Sequence, residues 1–271
     1  MLNLALIELM GNTENASAHG VLIDNMNNFV HWFMLLLGGG WGAFFLYCLY
    51  RFHHTRNPKA DYYGARTHLS THIEVGVIIT EVMLLVGFAI PLWTERVNDF
   101  PADRTDAVRV RVVGQQFNWQ FQYPGPDGIF GTTRAELVNK PSIVGLDPND
   151  PAALDDIVVS KTMTIPNRHP VILQISSMDV IHNFALPNMR LAQDAVPGLQ
   201  INMWFEPIRV GTYEAVCGQL CGAGHSGMSG YVEVVSDEDF AKFLKGKKPE
   251  LPPKKPATAQ VDLPGVAAPN S

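Results

Sequence analysis

Two stretches of this chain limit what it can fold into. They are NFVHWFMLLLGGGWGAFFLYCLY (residues 28–50) and VGVIITEVMLLVGFAIPLW (residues 75–93). The first contains no Asp, Glu, Lys or Arg; the second contains only Glu81, with Glu74 just ahead of it. A helix rises about 1.5 Å per residue, so roughly twenty apolar residues cross a hydrocarbon core about 30 Å thick. Two membrane-spanning helices are therefore expected, over 28–50 and 71–95, the competing reading being buried helices of a soluble protein. The composition agrees: 46% of residues are hydrophobic and only 17% charged. Acids at membrane depth are costly and usually face protein or a proton path. Glu81 is expected to hydrogen-bond a neighbouring helix, and Cys48, inside the first run, to be a small apolar residue.

The segment between the runs carries Arg51, Arg56, Lys59 and Arg66, whereas residues 1–27 have no Lys or Arg. Basic residues stay on the cytoplasmic side. Residues 51–70 are thus expected in the cytoplasm, with 1–27 and everything beyond the second helix outside it. The opening MLNLALIELM is apolar but lacks a basic start, which leaves its processing open. Residues 97–240 hold seventeen Asp/Glu against nine Lys/Arg, a net −8 suited to a basic partner or simply to solubility.

Past the second helix the pattern changes to short β-type segments broken by Pro, Gly and Asn. VRVRVVGQQFNWQFQY (108–123) reads as a half-buried strand, and 160–166, 169–177, 199–207, 211–217 and 227–235 read likewise. Together they predict an all-β sandwich. Residues 124–159 are turn-rich and read as a loop excursion, 237–247 as a short helix, and the Pro- and Ala-rich 248–271 as a disordered tail.

Between two of those strands lies CGQLCGAGHSGM, residues 217–228. Cys217, Cys221, His225 and Met228 are soft or borderline donors, and His182 follows the segment 169–177. One copper would need one cysteine, two histidines and a weak methionine. The second cysteine allows two thiolates to bridge two copper ions, each capped by a histidine, with Met228 and the Gln219 carbonyl completing the set. A disulfide and a tetrahedral zinc site are the alternatives, though zinc has little use for a methionine there.

The hairpin, the sandwich and this H…C-x3-C-x3-H-x2-M pattern together resemble subunit II of the haem–copper cytochrome c oxidases. The likeness runs from about residue 25 to 240. Within it, SSMDVIHNFALPNMRLAQDAVPG is similar to the family's segment around its first histidine ligand, VGQQFNWQFQY to its aromatic strand, and HIEVGVIITEV to the start of its second helix. The resemblance implies a cupredoxin-like domain over about 105–240 with a binuclear copper centre (CuA). It also implies a catalytic subunit I, a subunit III and a c-type cytochrome as partners, with no nucleic acid. The setting would be the inner membrane of a bacterium, with the C-terminal domain in the periplasm. Oxygen reduction would occur in the partner, so no catalytic residue is assigned. Glu74 matches a glutamate at the mouth of a proton path, and Asp179 a residue of the donor-docking face.

Two positions depart from the family pattern. Gln219 stands where many members carry a glutamate that also binds Mg or Mn; its neutral amide is a poor hard-cation ligand, which puts that second metal in doubt. Phe117 stands where a tryptophan usually receives the electron. Trp119, two residues on, is expected on the same strand face and so is a candidate for that role, packing in the core being the alternative. Other functions compatible with a copper motif are the electron-accepting subunit of a nitric or nitrous oxide reductase, a copper chaperone, and a quinol oxidase subunit. The hairpin disfavours the soluble nitrous oxide enzyme, Met228 disfavours a chaperone, and the complete donor set disfavours a quinol oxidase. No C-x-x-C-H occurs that would attach a c-type haem.

Overall fold

The structure, a computed structural model, describes residues 11, 13–59, 62–64, 67–98, 100–101 and 104–251. Arg66, residues 1–10 and the expected tail over 252–271 lie outside these. The contacts divide the chain into one unit of Met1–Gln122 with Val159–Gly246 and another of Tyr123–Val158 with Lys247–Ser271.

The first unit begins with the helices. α1 runs Gly20–Arg51, α2 runs Leu69–Leu84, and α3 (Ile90–Asn98) continues α2 through a π-helical turn at Leu85–Ala89. Gly20–Arg51 and Leu69–Glu95 are each long and apolar enough to cross a membrane. The π turn falls just ahead of Pro91, which has no N–H to offer the carbonyl of Gly87 and whose ring crowds it. Phe88 in that turn stacks on Phe29 of α1, with ring centroids 5.2 Å apart.

Helix α1 starts eight residues before the expected 28, because its polar first turns are held by the sandwich. Asp24 accepts bonds from Nε and Nη2 of Arg190 at 2.7 and 3.1 Å, an ion pair only 12% and 14% exposed. The residues before α1 are pinned as well. Ala16 N–H donates to the Asn188 carbonyl, Ile208 N–H to that of Ala16, and the buried Ser17 hydroxyl to that of Met189.

Among the described residues the sandwich has ten strands: β1 Val108–Gln115, β2 Asn118–Tyr123, β3 Ile157–Ser160, β4 Thr162–Pro166, β5 Val171–Ser177, β6 His182–Leu186, β7 Leu191–Ala195, β8 Ile201–Phe205, β9 Gly211–Cys217 and β10 Ser229–Val235. One sheet has the order β3-β2-β1-β5-β8, the other β4-β10-β9-β6-β7. β1 pairs β5 in parallel and β10 pairs β4 in parallel, whereas the β1–β2, β5–β8, β6–β7, β6–β9 and β9–β10 ladders are antiparallel. Apolar side chains fill the space between, with Val110, Phe121, Leu173, Phe184, Phe205 and Val232 fully buried. A short helix, α4 (Asp237–Gly246), follows as expected.

Three sequence-based expectations change. The segment 108–123 is not one half-buried strand but a hairpin, with Gln115 paired to Asn118 across a turn at Gln116 and Phe117. β6 and β7 lie where the sequence pattern predicts no strand. The excursion 124–159 has buried structure of its own: Val144, Leu146 and Ala153 are buried, and Gly131 N–H donates to Asp156. That unit also holds the start of the presumed tail, for Glu250 N–H donates to the Asp156 carbonyl and Leu251 is buried.

Phe184 is the hub of the core, meeting Trp119 edge-on at 4.9 Å and Phe121 at 6.0 Å. Truncating such a ring leaves a cavity the sheets cannot close, so Phe184→Ala is expected to cost about 3–5 kcal/mol. Chemical denaturation of the full chain in detergent, followed by tryptophan fluorescence, measures it.

Candidate metal centre

The strand registers bring the donors to one end of one sheet. Phe184 pairs with Cys217 across the β6–β9 ladder, and His182 lies two residues from Phe184, hence on the same face. Cys217 is the last residue of β9, and Met228 immediately precedes β10. The β9–β10 ladder closes the connection at its base, with Ser229 opposite Val216 and Cys217 N–H donating to the Met228 carbonyl. Within the loop, a turn at His225–Gly227 directs the second histidine back toward the cysteines.

The two thiols stand 3.8 Å apart, both cysteines free and buried. An imidazole nitrogen lies beside each sulfur: His182 Nδ1 is 3.9 Å from Cys217 and His225 Nδ1 is 3.6 Å from Cys221. The Gln219 carbonyl is 3.2 Å from the Cys217 sulfur, and the Met228 thioether 3.7 Å from that of Cys221. All six donors read from the sequence thus converge. His182, Cys217 and Cys221 have their ligand atoms within 4.8 Å of one another, a group able to hold a metal ion. Burial, then the adjoining Cys217 thiol, pushes the Cys221 thiol up to about 11. A cation among the sulfurs reverses that preference, since a coordinated thiol loses its proton. Thiolate, imidazole and thioether together fit copper by their softness.

The surroundings fix the imidazole of His182. Its Nε2 is 2.8 Å from Asp179 Oδ1, which leaves Nδ1 free to face the sulfurs. The carboxylate of Asp179 also accepts the backbone N–H groups of Gln116 and Val180, each at 2.7 Å. Burial raises its pKa, but these bonds and that from His182 outweigh burial and hold it below the usual carboxylate range. Asp179, expected on the donor-docking face, is an exposed residue, and its carboxylate also holds the His182 ring and two backbone amides.

Phe117 and Trp119 do not share a strand face, because the hairpin turns at Phe117. Phe117 is 39% exposed, while Trp119 is fully buried, its ring 5.9 Å from that of His182. The Phe117 ring lies flat enough on the metal loop that a Cβ on Gly224 would come within 2.5 Å of it. Gly222, with φ of +138°, leaves only 2.8 Å between such a Cβ and the Gln116 amide. Glu74 stands apart from all of this, on α2, lining an apolar groove with Leu36, Trp41 and Phe44 of α1. The side chain of Gln219 is exposed.

A cupredoxin-like sandwich carried on two apolar helices, with a soft-metal donor set at the end of one sheet, defines the class. The family described as "Cytochrome C oxidase subunit II, periplasmic domain" matches residues 108–235. The chain is 33% identical over 228 residues to the alternative cytochrome c oxidase subunit 2 of Bradyrhizobium diazoefficiens, covering 83% of this chain and 80% of that one. It is 29% identical over 231 residues to the cytochrome c oxidase subunit 2 of Cereibacter sphaeroides, covering 79% and 73%. The solved periplasmic domain of subunit II of the cytochrome oxidase of Bradyrhizobium japonicum is 27% identical, covers 51% of this chain and 91% of its own, and aligns with a TM-score of 0.38. The chain belongs to the cytochrome c oxidase subunit II family and is a subunit of a haem–copper oxidase.

Gly114 makes room for the His182 ring, since a Cβ there would lie 2.8 Å from His182 Cδ2 and 3.1 Å from Trp119. Overpacking of this kind typically costs about 1–3 kcal/mol. Gly114→Ala is expected to displace the imidazole and weaken copper binding more than it lowers the melting temperature. Competition with a copper chelator, run beside a thermal melt, separates the two effects.

Proposed function

We propose that this chain is the subunit through which electrons reach a terminal haem–copper oxidase. It would accept single electrons from a c-type cytochrome and deliver them to haem in catalytic subunit I, where oxygen is reduced with proton pumping. The observation that carries the reading is the pair of thiols 3.8 Å apart with an imidazole nitrogen beside each. His182, Cys217, Cys221, His225, Met228 and the Gln219 carbonyl would hold two copper ions. Bound there, the pair supplies a one-electron carrier whose change of charge is spread over two metals. The protein's own part is to keep the ligands still. Four of the side chains hang from a loop closed by the β9–β10 ladder, and the fifth is fixed by Asp179. A magnesium or manganese ion at Gln219 is not part of the proposal.

Orientation follows from the basic residues of the 51–70 segment: helices across the inner membrane of a bacterium, 97–271 on the periplasmic side. Glu74, on α2 near the cytoplasmic segment, is the candidate for a proton path into subunit I, with subunit III and lipid as further neighbours. The −8 charge of residues 97–240 favours a basic donor, whose steered approach weakens as salt screens it.

Metal analysis of the full chain in detergent is expected to find two copper ions, with an EPR hyperfine pattern of one electron shared between two nuclei. One copper, or the pattern of a single nucleus, removes the reading. Electrons are expected to enter past Phe117, whose exposed ring rests on the metal loop, and not through the buried Trp119. Stopped-flow reduction by a c-type cytochrome should then slow in Phe117→Leu and keep its rate in Trp119→Phe. The opposite ranking would return the role to Trp119.

A further inference from the structure

The copper donors come from two separate pieces of chain: His182 at the start of β6, and the other side chains from the connection between β9 and β10. A third piece, the β1–β2 turn, gives no donor, yet it touches both. The backbone N–H of Gln116 donates to Asp179 Oδ2 at 2.7 Å, and Asp179 Oδ1 holds His182 Nε2 at 2.8 Å. The side-chain amide of the same residue donates through Nε2 to the carbonyl of Cys221 at 2.7 Å. The Cys221 sulfur has Cys217, His225 and Met228 all within 3.8 Å. One residue therefore connects the backbone of Cys221 to the carboxylate that aims the imidazole beside Cys217.

The fit is close on every side. A Cβ on Gly222 would meet the Gln116 amide at 2.8 Å, and one on Gly224 would meet Phe117 at 2.5 Å, so the turn rests directly on the loop backbone. A loop rich in glycine does not hold its own shape, because glycine restricts φ and ψ so little. The amide strut supplies what the loop lacks: a fixed distance between Cys221 and the His182 side of the site.

We propose that Gln116 is a positioning residue for the copper pair, setting the separation of its two halves through the Cys221 carbonyl and Asp179. The inference rests on the reading of the six donors as a copper site. Groups behind the ligands matter at this scale, and their loss commonly lowers metal affinity about 10- to 100-fold. Gln116 keeps its backbone bond to Asp179 whatever its side chain, so substitution cuts the strut at the Cys221 end alone. Gln116→Leu removes the donor. Gln116→Glu, nearly isosteric, turns a carboxylate oxygen toward a carbonyl and should do more harm.

The test uses the full chain in detergent, loaded with copper. Both variants should still bind two ions, with affinity in chelator competition lowered about 10- to 100-fold and the copper hyperfine pattern altered. Ile165→Val serves as control. Ile165 is a buried core residue that pairs with Val234, at the end of β10 away from Met228. It should lower the melting temperature while leaving affinity and spectrum unchanged. Wild-type affinity and spectrum in both Gln116 variants would overturn the proposal, as would an Ile165→Val spectrum changed as much as theirs. If Gln116→Leu fails to fold, Gln116→Glu decides alone. A wild-type chain that binds no copper pair would sink the copper reading itself, a result distinct from either outcome for Gln116.

Discussion

Phe184 lies opposite Cys217 in the ladder between β6 and β9, and the metal centre depends on that register. A slip of one residue turns every side chain of a strand to its other face. His182 would then point away from the sulfurs, and no adjustment of the loop could bring it back. The register is guarded by burial, because the fully buried Phe184 packs against both Trp119 and Phe121 in the core. The β9–β10 ladder does the corresponding work for the loop, holding Cys217 and Met228 at adjacent strand ends. The site is thus specified by the core more than by the loop that carries most of its donors.

That division suits the chemistry. A loop must be glycine-rich to bend two sulfurs, an imidazole and a thioether into one small space, and such a loop is poorly ordered alone. Rigidity has to be lent by neighbours. Asp179 lends it to His182, the hairpin tip lends it to Cys221, and Gly114 clears the space into which the imidazole fits. Of these three only Asp179 carries charge, and its position against His182 matches the carboxylate–imidazole pairing that fixes which ring nitrogen faces a metal.

The sequence made the ligands legible because their spacing is local: four of the five donor side chains fall within twelve residues. It made the helices legible because apolar length is a one-dimensional property. What it hid was long-range or lacked a marker. The turn at Gln116 and Phe117 contains no Gly or Pro, and the β pattern continues through it, so two strands read as one. An unbroken strand would carry Phe117 and Trp119 on one face, whereas the fold sends one to the surface and the other into the core. β6 and β7 are five residues each and flank a short turn, too brief to show a period. The bond between Asp179 and the hairpin tip could not be read at all, since its partner Gln116 is 63 residues away in the chain.

β6 is held at both ends, and this links the metal centre to the membrane anchor. Its first residue, His182, is fixed through Asp179 to the hairpin tip. Beyond its last residue comes the turn Pro187–Met189, and then Arg190, whose guanidinium grips Asp24 in the early turns of α1. Arg190 adopts φ of +51°, a left-handed conformation uncommon for a residue with a side chain. Among the described strands, β6 alone carries a donor at one end and leads at the other into the arginine that holds α1. On the proposed electron-transfer function, a rigid ligand set is useful only if it stands at a fixed place relative to the membrane. The same five residues of β6 that present His182 to the sulfurs tie that end of the sandwich to the helix that anchors it.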